Sequence, residues 1–427
     1  MSRLVLFTLA LGLVLTAGLV AIDNTEEPPI NEEKVVEQPV PLPPAEDDMQ
    51  AVAMANTQFA FDIYGEFPEE GNLFFSPLSV SMALAMTSAG ARGDTLSQME
   101  DVLHLAIGQD RIHPALGALD RILESRQYLP EGLGEGFTLS LANSIWGQTG
   151  HEFFPGFLGV LEASYGAAIR LTDFASDPEA ARQEINRWVE EETRDRIVDL
   201  VPPGAITPDT LIALVNAIYF KAPWASAFEK EDTTTEPFTL LGGSDVEAEL
   251  MNQTEMFGYM QGEGFKAAEI DYNGHALSML IILPDPGEFQ AIAAELSPTL
   301  LYEVAQEMSL RHVILSIPKF RIEWGSMLNS PLIALGMRDA FDGSLADFTG
   351  MDSVTGSFIG AVIHKAFVQV DEAGTEAAAA TAVIRLGAGP DSTPTYYEFR
   401  VDRPFFLFIR DKETGAVLFM GRVLDPS

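Results

Sequence analysis

Apolar residues recur with two different periods, and the period changes along the chain. Near the start, Gln50–Tyr64 carries apolar residues at roughly helical spacing, and a small-residue stretch predicts a second helix ending near Gly90. Residues 185–198, which carry Trp188 and a dense polar face, predict a surface helix. Apolar runs later in the chain predict strands, at 139–146, 211–220, 277–283, 313–317, 359–370 and 405–409. A chain that is helical early and strand-rich late indicates the α+β class.

One stretch, Gly374–Thr395, fits neither period. It reads GTEAAAATAVIRLGAGPDSTPT and lies between two strand-like runs. Four consecutive alanines favour a helix, but a glycine precedes them, threonines interrupt the pattern, and glycines and prolines follow. The segment is typical of neither a helix nor a linker.

The N-terminal residues bear on location. A short basic start and the apolar run Leu4–Leu15 are typical of a secretion signal, so we interpret 1–22 as a signal peptide. Residues 4–22 hold no charge and are about long enough to span a bilayer, which leaves an uncleaved anchor as the alternative. Residues 23–48, with nine acidic residues and one lysine, predict a disordered Pro-rich tether. We therefore expect a secreted, extracellular or periplasmic protein, or a membrane-tethered one, with a single domain over 49–427.

Composition argues against several functions. The 427 residues include 63 acidic and 25 basic ones, a formal net charge of -38, which repels nucleic acid and anionic membranes. Without cysteine there is no disulfide, thiol nucleophile or cysteine metal site. The six histidines show no ligand spacing, and no G-x-S-x-G elbow is present. The sequence thus predicts no metal, no cofactor and no enzyme activity.

Four long motifs resemble the serpin family, and together they span essentially all of residues 49–427. They are NLFFSPLSVSMALAMTSAGARGDT, TLIALVNAIYFKAPW, IHKAFVQVDEAGTEAAAATA and VDRPFFLFIRDKETGAVLFMGRVLDP. The resemblance implies the serpin fold, in which helices surround a large central β-sheet and further sheets, with an exposed reactive-centre loop at about 374–395. We expect an inhibitory, secreted, monomeric member of prokaryotic source.

The resemblance also implies a mechanism. The loop is bait: a serine protease attacks one bond and forms an acyl-enzyme. The loop then inserts as an extra strand in the main sheet and traps the protease in a covalent 1:1 complex. The inhibitor needs no catalytic residue of its own. The alternative is a non-inhibitory serpin that acts as a binding or storage protein.

Side-chain size in the hinge before the bait fits such an insertion. A segment that becomes buried in a sheet excludes bulk and charge from its inward face. Strand alternation directs Thr375, Ala377, Ala379, Thr381 and Val383 to that face and leaves the one charge, Glu376, on the other. Gly374 supplies the bend from strand to loop. The predicted hinge comprises Glu372, Gly374, Thr375, Glu376, Ala377, Ala378, Ala379, Ala380 and Thr381.

Residues that govern sheet opening are assigned from the resemblance alone. Ser76, Ser79, Asn216 and His364 match a polar cluster beneath the sheet where its strands part. Trp224 matches an aromatic residue at the point of first insertion.

The bait bond follows from a count along the loop. In inhibitory serpins it lies about sixteen residues after the hinge glutamate, which here gives Ala388–Gly389. A small residue suits elastase-like or subtilisin-like proteases. Arg385 would suit a trypsin-like enzyme and Leu386 a chymotrypsin-like one, but cleavage after Arg385 shortens the inserting strand by roughly 10 Å. The loop is a few residues longer than in compact members, and the bond moves to Pro390 or Asp391 if the excess precedes it.

Overall fold

A computed structural model describes residues 46–129, 136–354, 356–375 and 394–427, with the backbone alone for 140–142. The signal or anchor segment, the tether up to residue 45, hinge residues 376–381 and all candidate bait bonds lie outside the described residues. None of the described helices is both long enough and apolar enough to cross a membrane.

The described residues form nine α-helices and fifteen strands. The helices are α1 Glu46–Gly65, α2 Pro77–Ser88, α3 Gly93–Val102, α4 Gln109–Ser125, α5 Pro155–Tyr165, α6 Pro178–Glu192, α7 Phe289–Glu295, α8 Pro298–Glu307 and α9 Asn329–Leu335. The strands are β1 Leu73–Phe75, β2 Thr138–Gln148, β3 Arg170–Thr172, β4 Ile212–Pro223, β5 Thr234–Thr239, β6 Asp245–Gln261, β7 Phe265–Asp271, β8 Leu277–Pro284, β9 Ser309–Pro318, β10 Phe320–Met327, β11 Ile359–Asp371, β12 Gly374–Thr375, β13 Tyr396–Arg400, β14 Phe405–Asp411 and β15 Val417–Val423.

Two sheets organise these strands. The larger has nine strands in the order β1-β15-β14-β8-β7-β6-β9-β13, with β5 paired to β6. The six-stranded sheet, here called the main sheet, has the order β10-β11-β12-β4-β2-β3, and β11 also pairs directly with β4. The α+β class is confirmed, with six of the nine helices before residue 193.

Helix α2 fills the space beside the main sheet. Its twelve residues are all buried, which fits a sequence that contains no charged residue and only small hydroxyl groups as polar side chains. Pro77 occupies the first turn, where its missing N–H has no partner to lose, and the Ser76 hydroxyl caps the helix by accepting from the backbone N–H of Ser79 at 3.2 Å. The start of α2 is therefore fixed next to the sheet.

Strand β4 is covered on both faces, as its continuous apolar run predicts. Leu214, Ile218 and Phe220 join the main core with α2, while Val215 and Tyr219 pack in a second core beneath α6. Alternation along the strand directs each set to its own face. β4 is thus a central strand with no exposed face.

Helix α6 differs from the predicted helix at 185–198. It begins at Pro178, where the Asp177 side chain caps it by accepting from the N–H of Ala180 at 2.9 Å. It ends at Glu192 because Arg194 and Asp195 both have positive φ, outside the right-handed helical region. The predicted helix therefore began and ended too far along the chain. The observed helix covers the main sheet.

Helix α1 begins three residues inside the segment predicted as a tether. Glu46, Asp47 and Asp48 form its first turn, where acidic residues favour the positive end of the helix dipole. Asp48 is buried and its Oδ2 accepts from the Nε of Arg111 on α4 at 3.2 Å. The folded domain therefore includes these three residues.

Candidate functional site: the hinge and the seam of the main sheet

The site is built on a seam between β4 and β11. The two strands pair directly and in parallel from Ile212 opposite Ile359 to Tyr219 opposite Phe367. We call this boundary the seam. Parallel pairing is slightly less stable per residue than antiparallel pairing, so the seam is a comparatively weak junction in the sheet.

Beyond the seam the two strands have parted, and β12 lies between them. Thr375 pairs with Val370 of β11 on one side and with Ala222 of β4 on the other. Gly374 pairs with Asp371 and Pro223 in the same way. β12 runs antiparallel to both neighbours, so two residues of the predicted hinge already occupy the position of an additional strand.

Three successive carbonyl groups fix the turn into β12. The carbonyl of Asp371 accepts from the indole Nε1 of Trp224 at 3.0 Å. The carbonyl of Glu372 accepts from the N–H of Phe228 at 2.9 Å, and that of Ala373 accepts from the N–H of Trp224 at 3.1 Å. Each buried acceptor is therefore satisfied, which a turn inside a sheet requires. Trp224 supplies two of the three donors.

A buried aromatic pair supports Thr375 from below. The rings of Trp224 and Tyr272 stack with centroids 4.8 Å apart and an interplanar angle of 6°. The hydroxyl groups of Tyr272 and Thr375 share a hydrogen bond of 2.8 Å, and both side chains are fully buried. Burial raises the pKa of Tyr272 well above its ordinary value, so the phenol keeps its proton. Thr375 thus lies on the core side of the sheet.

Glu372 is held by hydrogen bonds and a lysine. Its Oε1 accepts from the Thr233 hydroxyl at 2.9 Å and lies 3.3 Å from the Lys319 Nζ. Desolvation would raise the pKa of Glu372, but hydrogen bonds from its own backbone N–H, Thr233 and Lys319 outweigh it, and the pKa lies below the usual value. Glu372 is therefore an ionised anchor at the base of the hinge.

Gly374 is required by its surroundings as well as by its backbone. Its φ of +148° lies in a region that L side chains rarely adopt. A Cβ at this position would lie 2.2 Å from the carbonyl oxygen of Ala222 and 2.6 Å from the Cα of Pro223. Any side chain here would push β12 away from β4.

A polar cluster lies under the seam at the start of α2. His364 of β11 and Asn216 of β4 face each other in register and are hydrogen-bonded through Nδ1 and Oδ1. The amide of Asn216 donates to the Oδ1 of Asn143 on β2, which also accepts from the Ser79 hydroxyl at 2.6 Å. The N–H of Ser76 donates to the Nε2 of His364 at 3.1 Å. The four residues assigned to sheet opening are thus brought together, with Asn143 as a fifth member.

The tautomer of His364 follows from its partners. A backbone N–H only donates, so Nε2 accepts from Ser76 and Nδ1 carries the proton that is donated to Asn216. Burial lowers the pKa of His364 to about 3, so the ring is neutral in the folded protein at neutral pH. Separation of β4 from β11 by one strand spacing, about 4.8 Å, would break the bond between His364 and Asn216.

The opposite face of the seam is covered by α6. Ile185 and Val189 of the helix pack in one buried cluster with Val215 of β4 and Ile363 and Phe367 of β11. The buried cluster beneath the helix therefore includes side chains from both strands of the seam. Any opening of the seam has to rearrange this second core.

Several residues of the site were missed by sequence reasoning. Tyr272 follows the end of β7 and Lys319 lies between β9 and β10, so both reach the hinge from distant parts of the chain. Asn143 becomes a neighbour of Asn216 only through the β2–β4 register. The Asn-Gly dipeptide after Tyr272 was a usable turn signal, since it joins β7 to β8. Among the described residues no group of three or more His, Cys, Asp or Glu side chains could hold a metal ion.

Comparison with known proteins identifies the family. The family model described as Serpin (serine protease inhibitor) matches residues 54–426. The chain therefore belongs to the serpin family. As the description states, serpins are protease inhibitors, and they do not act as catalysts.

Individual relatives cover nearly the whole chain. An uncharacterized serpin-like protein of Thermococcus kodakarensis is 38% identical over 89% of this chain and 87% of its own length. Leukocyte elastase inhibitor A of Rattus norvegicus is 38% identical over 88% of this chain and all of its own. The crystal structure of human thyroxine-binding globulin complexed with its hormone has a TM-score of 0.77 and 28% identity, over 89% of this chain and 100% of that one.

Substitution of Gly374 tests the close contact between β12 and β4. We expect Gly374→Ala to displace residues 374 and 375 from the sheet and to lower the free energy of unfolding by about 1–3 kcal/mol, because the new Cβ clashes with backbone atoms. Denaturant unfolding and amide hydrogen exchange at Thr375 measure the two effects. Gly156→Ala is the control, since its Cβ would meet no atom within 4 Å. Equal stability and exchange in both variants would contradict the geometry.

The buried His364 predicts a pH dependence of stability. The unfolded chain binds a proton at this residue below about pH 6.5, whereas the folded state does not until about pH 3, so the stabilisation is complete above pH 6.5 and declines as the pH falls. His364→Asn does not titrate. The stability difference between wild type and variant should shrink by about 2 kcal/mol between about pH 7.5 and pH 5, at about 1.4 kcal/mol per unit. Parallel profiles of stability against pH for wild type and variant would refute this prediction.

Proposed function

We propose that this serpin is a suicide inhibitor of serine endopeptidases. The observation that supports this proposal is the position of Gly374 and Thr375 between β4 and β11, antiparallel to both strands at the end of the seam. Cleavage of the reactive loop frees the residues that follow Thr375 to extend this strand along the seam. The acylated protease is carried with the loop and is held as a covalent 1:1 complex by a protein without a catalytic residue of its own.

The register of β12 argues against Arg385 as the bait residue and is compatible with the proposed bond Ala388–Gly389. In an antiparallel pair each step forward in one strand is a step back in the other. Since Gly374 pairs with Asp371, continued pairing would bring Leu386 opposite Ile359, the first residue of β11. A cut after Leu386 or Ala388 therefore supplies enough chain to reach the first residue of β11, whereas a cut after Arg385 stops one residue short of it.

The proposed target is a protease with a shallow specificity pocket, elastase-like or subtilisin-like. The small side chain of Ala388 favours it, and the relative from Rattus norvegicus is named as a leukocyte elastase inhibitor. Trypsin-like and chymotrypsin-like enzymes are the alternative targets, through Arg385 and Leu386. We also propose that the protein acts as a monomer outside the cytoplasm in a prokaryote, exported through residues 1–22 or tethered by them.

A binding protein without inhibitory activity is the second candidate. It is favoured by the similar fold of thyroxine-binding globulin, which is described in complex with its hormone. The sequence of the hinge argues for inhibition instead, because no large or charged side chain occupies the inward set from Thr375 to Val383.

Incubation with proteases tests the function directly. Purified protein mixed with elastase, subtilisin, trypsin or chymotrypsin should give a complex that survives boiling in detergent, because the acyl bond is covalent. Mass spectrometry of the released C-terminal peptide should find Gly389 at its N-terminus. Loop cleavage that leaves every protease active would exclude the inhibitor and favour the binding protein. A different N-terminus would refute only the choice of bond.

Two arginine substitutions separate cleavage from insertion. Alternation from Thr375 directs Ala379 to the core side of an inserted strand and Glu376 to the other side, where continued register places it opposite the half-buried Gln369. Ala379→Arg should still be cleaved at the same bond, but the amount of inhibitor consumed per protease trapped should rise at least about tenfold, because a charge would be buried. Glu376→Arg should stay close to wild type, because this position already carries a charge and its partner Gln369 is only half-buried. Titration of residual protease activity measures the amount of inhibitor that each variant consumes per protease trapped. Equal amounts for the two variants would refute the insertion step.

A further inference from the structure

A cluster of exposed apolar side chains lies on three adjacent strands of the nine-stranded sheet. Sixteen large hydrophobic side chains are exposed among the described residues, and four of them share this one sheet face. They are Met256 at 46% exposure, Leu310 at 66%, Ile314 at 46% and Tyr396 at 51%. We call these four residues the sheet-face patch. Single exposed apolar residues are ordinary, but a group of them on one sheet face, here arranged around the exposed His312, is a candidate interaction surface.

Strand register places the four side chains together. Met256 of β6 pairs with His312 of β9, which pairs in turn with Tyr396 of β13. Leu310 and Ile314 flank His312 at two residues on either side and therefore share its face. The alternate residues Val313 and Phe399 point into the core. The patch is held on a rigid sheet and needs no rearrangement to be presented.

The position of the patch in the chain indicates what covers it. Tyr396 opens β13 only seven residues after Gly389, a span of at most about 25 Å of extended chain. A protease domain of about 230 residues has a radius of gyration of about 17 Å. A protease engaged on the bait bond therefore extends over its surroundings by a distance comparable to this span.

The usual size of protein–protein interfaces also favours contacts between the protease and the body of the inhibitor. A stable protein–protein interface buries about 800 Å² on each partner, spread over about 20–30 residues. Only the part of the 22-residue loop next to the bait bond can enter the protease cleft, so contacts with the body of the inhibitor would enlarge the interface that holds the encounter complex until acylation.

We propose that the sheet-face patch is a docking surface for the target protease, contacted by an apolar part of the protease rim beside the product side of its cleft. The inference rests on the proposed inhibitory function and adds a second determinant of partner choice outside the bait loop. The patch acts before acylation, so it sets the rate of association and leaves the later competition between strand insertion and hydrolysis unchanged.

The test uses full-length protein and the protease that wild type traps most efficiently. The double variant Leu310→Ser with Tyr396→Ser removes apolar area from two strands of the patch. The control, Leu345→Ser with Tyr128→Ser, removes one leucine and one tyrosine that are 57% and 78% exposed and lie outside this sheet. Unfolding midpoints verify that both variants are folded, and Met256→Gln probes the third strand independently.

The patch variants should lower the second-order rate constant of inhibition at least about fivefold, the effect of one ordinary energetic interface residue. The inhibitor consumed per protease trapped should not change, and the control should match wild type. An unchanged rate constant, or a changed stoichiometry at constant rate, would overturn the docking role. The docking role would also be overturned if wild type sediments as a dimer and the patch variants sediment as monomers, because the patch would then bind a second copy of this chain. Absence of any covalent complex with wild type would overturn the inhibitory function itself, and the docking proposal with it.

Discussion

The parallel pairing of β4 with β11 is the interaction on which the rest of the structure depends. Every other part of the site lies on this seam or at its end. His364 and Asn216 bridge it from below, α6 covers it from above, and β12 occupies the space where it ends. The seam is thus supported by contacts that are local and separable, so a strand that enters would meet them one after another.

The two ends of the site use different physical means to hold the chain. At the hinge, fully satisfied backbone carbonyls and the stacked pair of Trp224 and Tyr272 fix a turn that only glycine allows at position 374. Under the seam, a neutral histidine joins two strands through polar side chains. Buried polar contacts of this kind are costly to leave unpaired. They favour either a closed seam or one filled by a new strand, and they disfavour an empty gap.

Most strands of the fold could be predicted from local sequence patterns, whereas the contacts within the site depend on the register between strands. Apolar runs located β4, β8, β11 and β14, because strands buried on both faces leave an unmistakable signal. The ends of α6 were misplaced, since a capping aspartate and two residues with positive φ outweighed apolar spacing. Asn143, Tyr272 and Lys319 escaped notice because their neighbours are distant in sequence. The polar cluster was assigned by resemblance, which carries the long-range information that periodicity lacks.

The two residues of β12 also bear on kinetics. Forming the first contact of a new strand normally requires closing a loop, which is the entropically unfavourable step. Here that step is already complete in the uncut protein, because Gly374 and Thr375 are paired on both sides. Strand entry would then resemble the propagation of a zipper, in which each incoming residue replaces one existing pair between β4 and β11. Its speed would be governed by how fast successive rungs exchange, with no separate nucleation event to wait for.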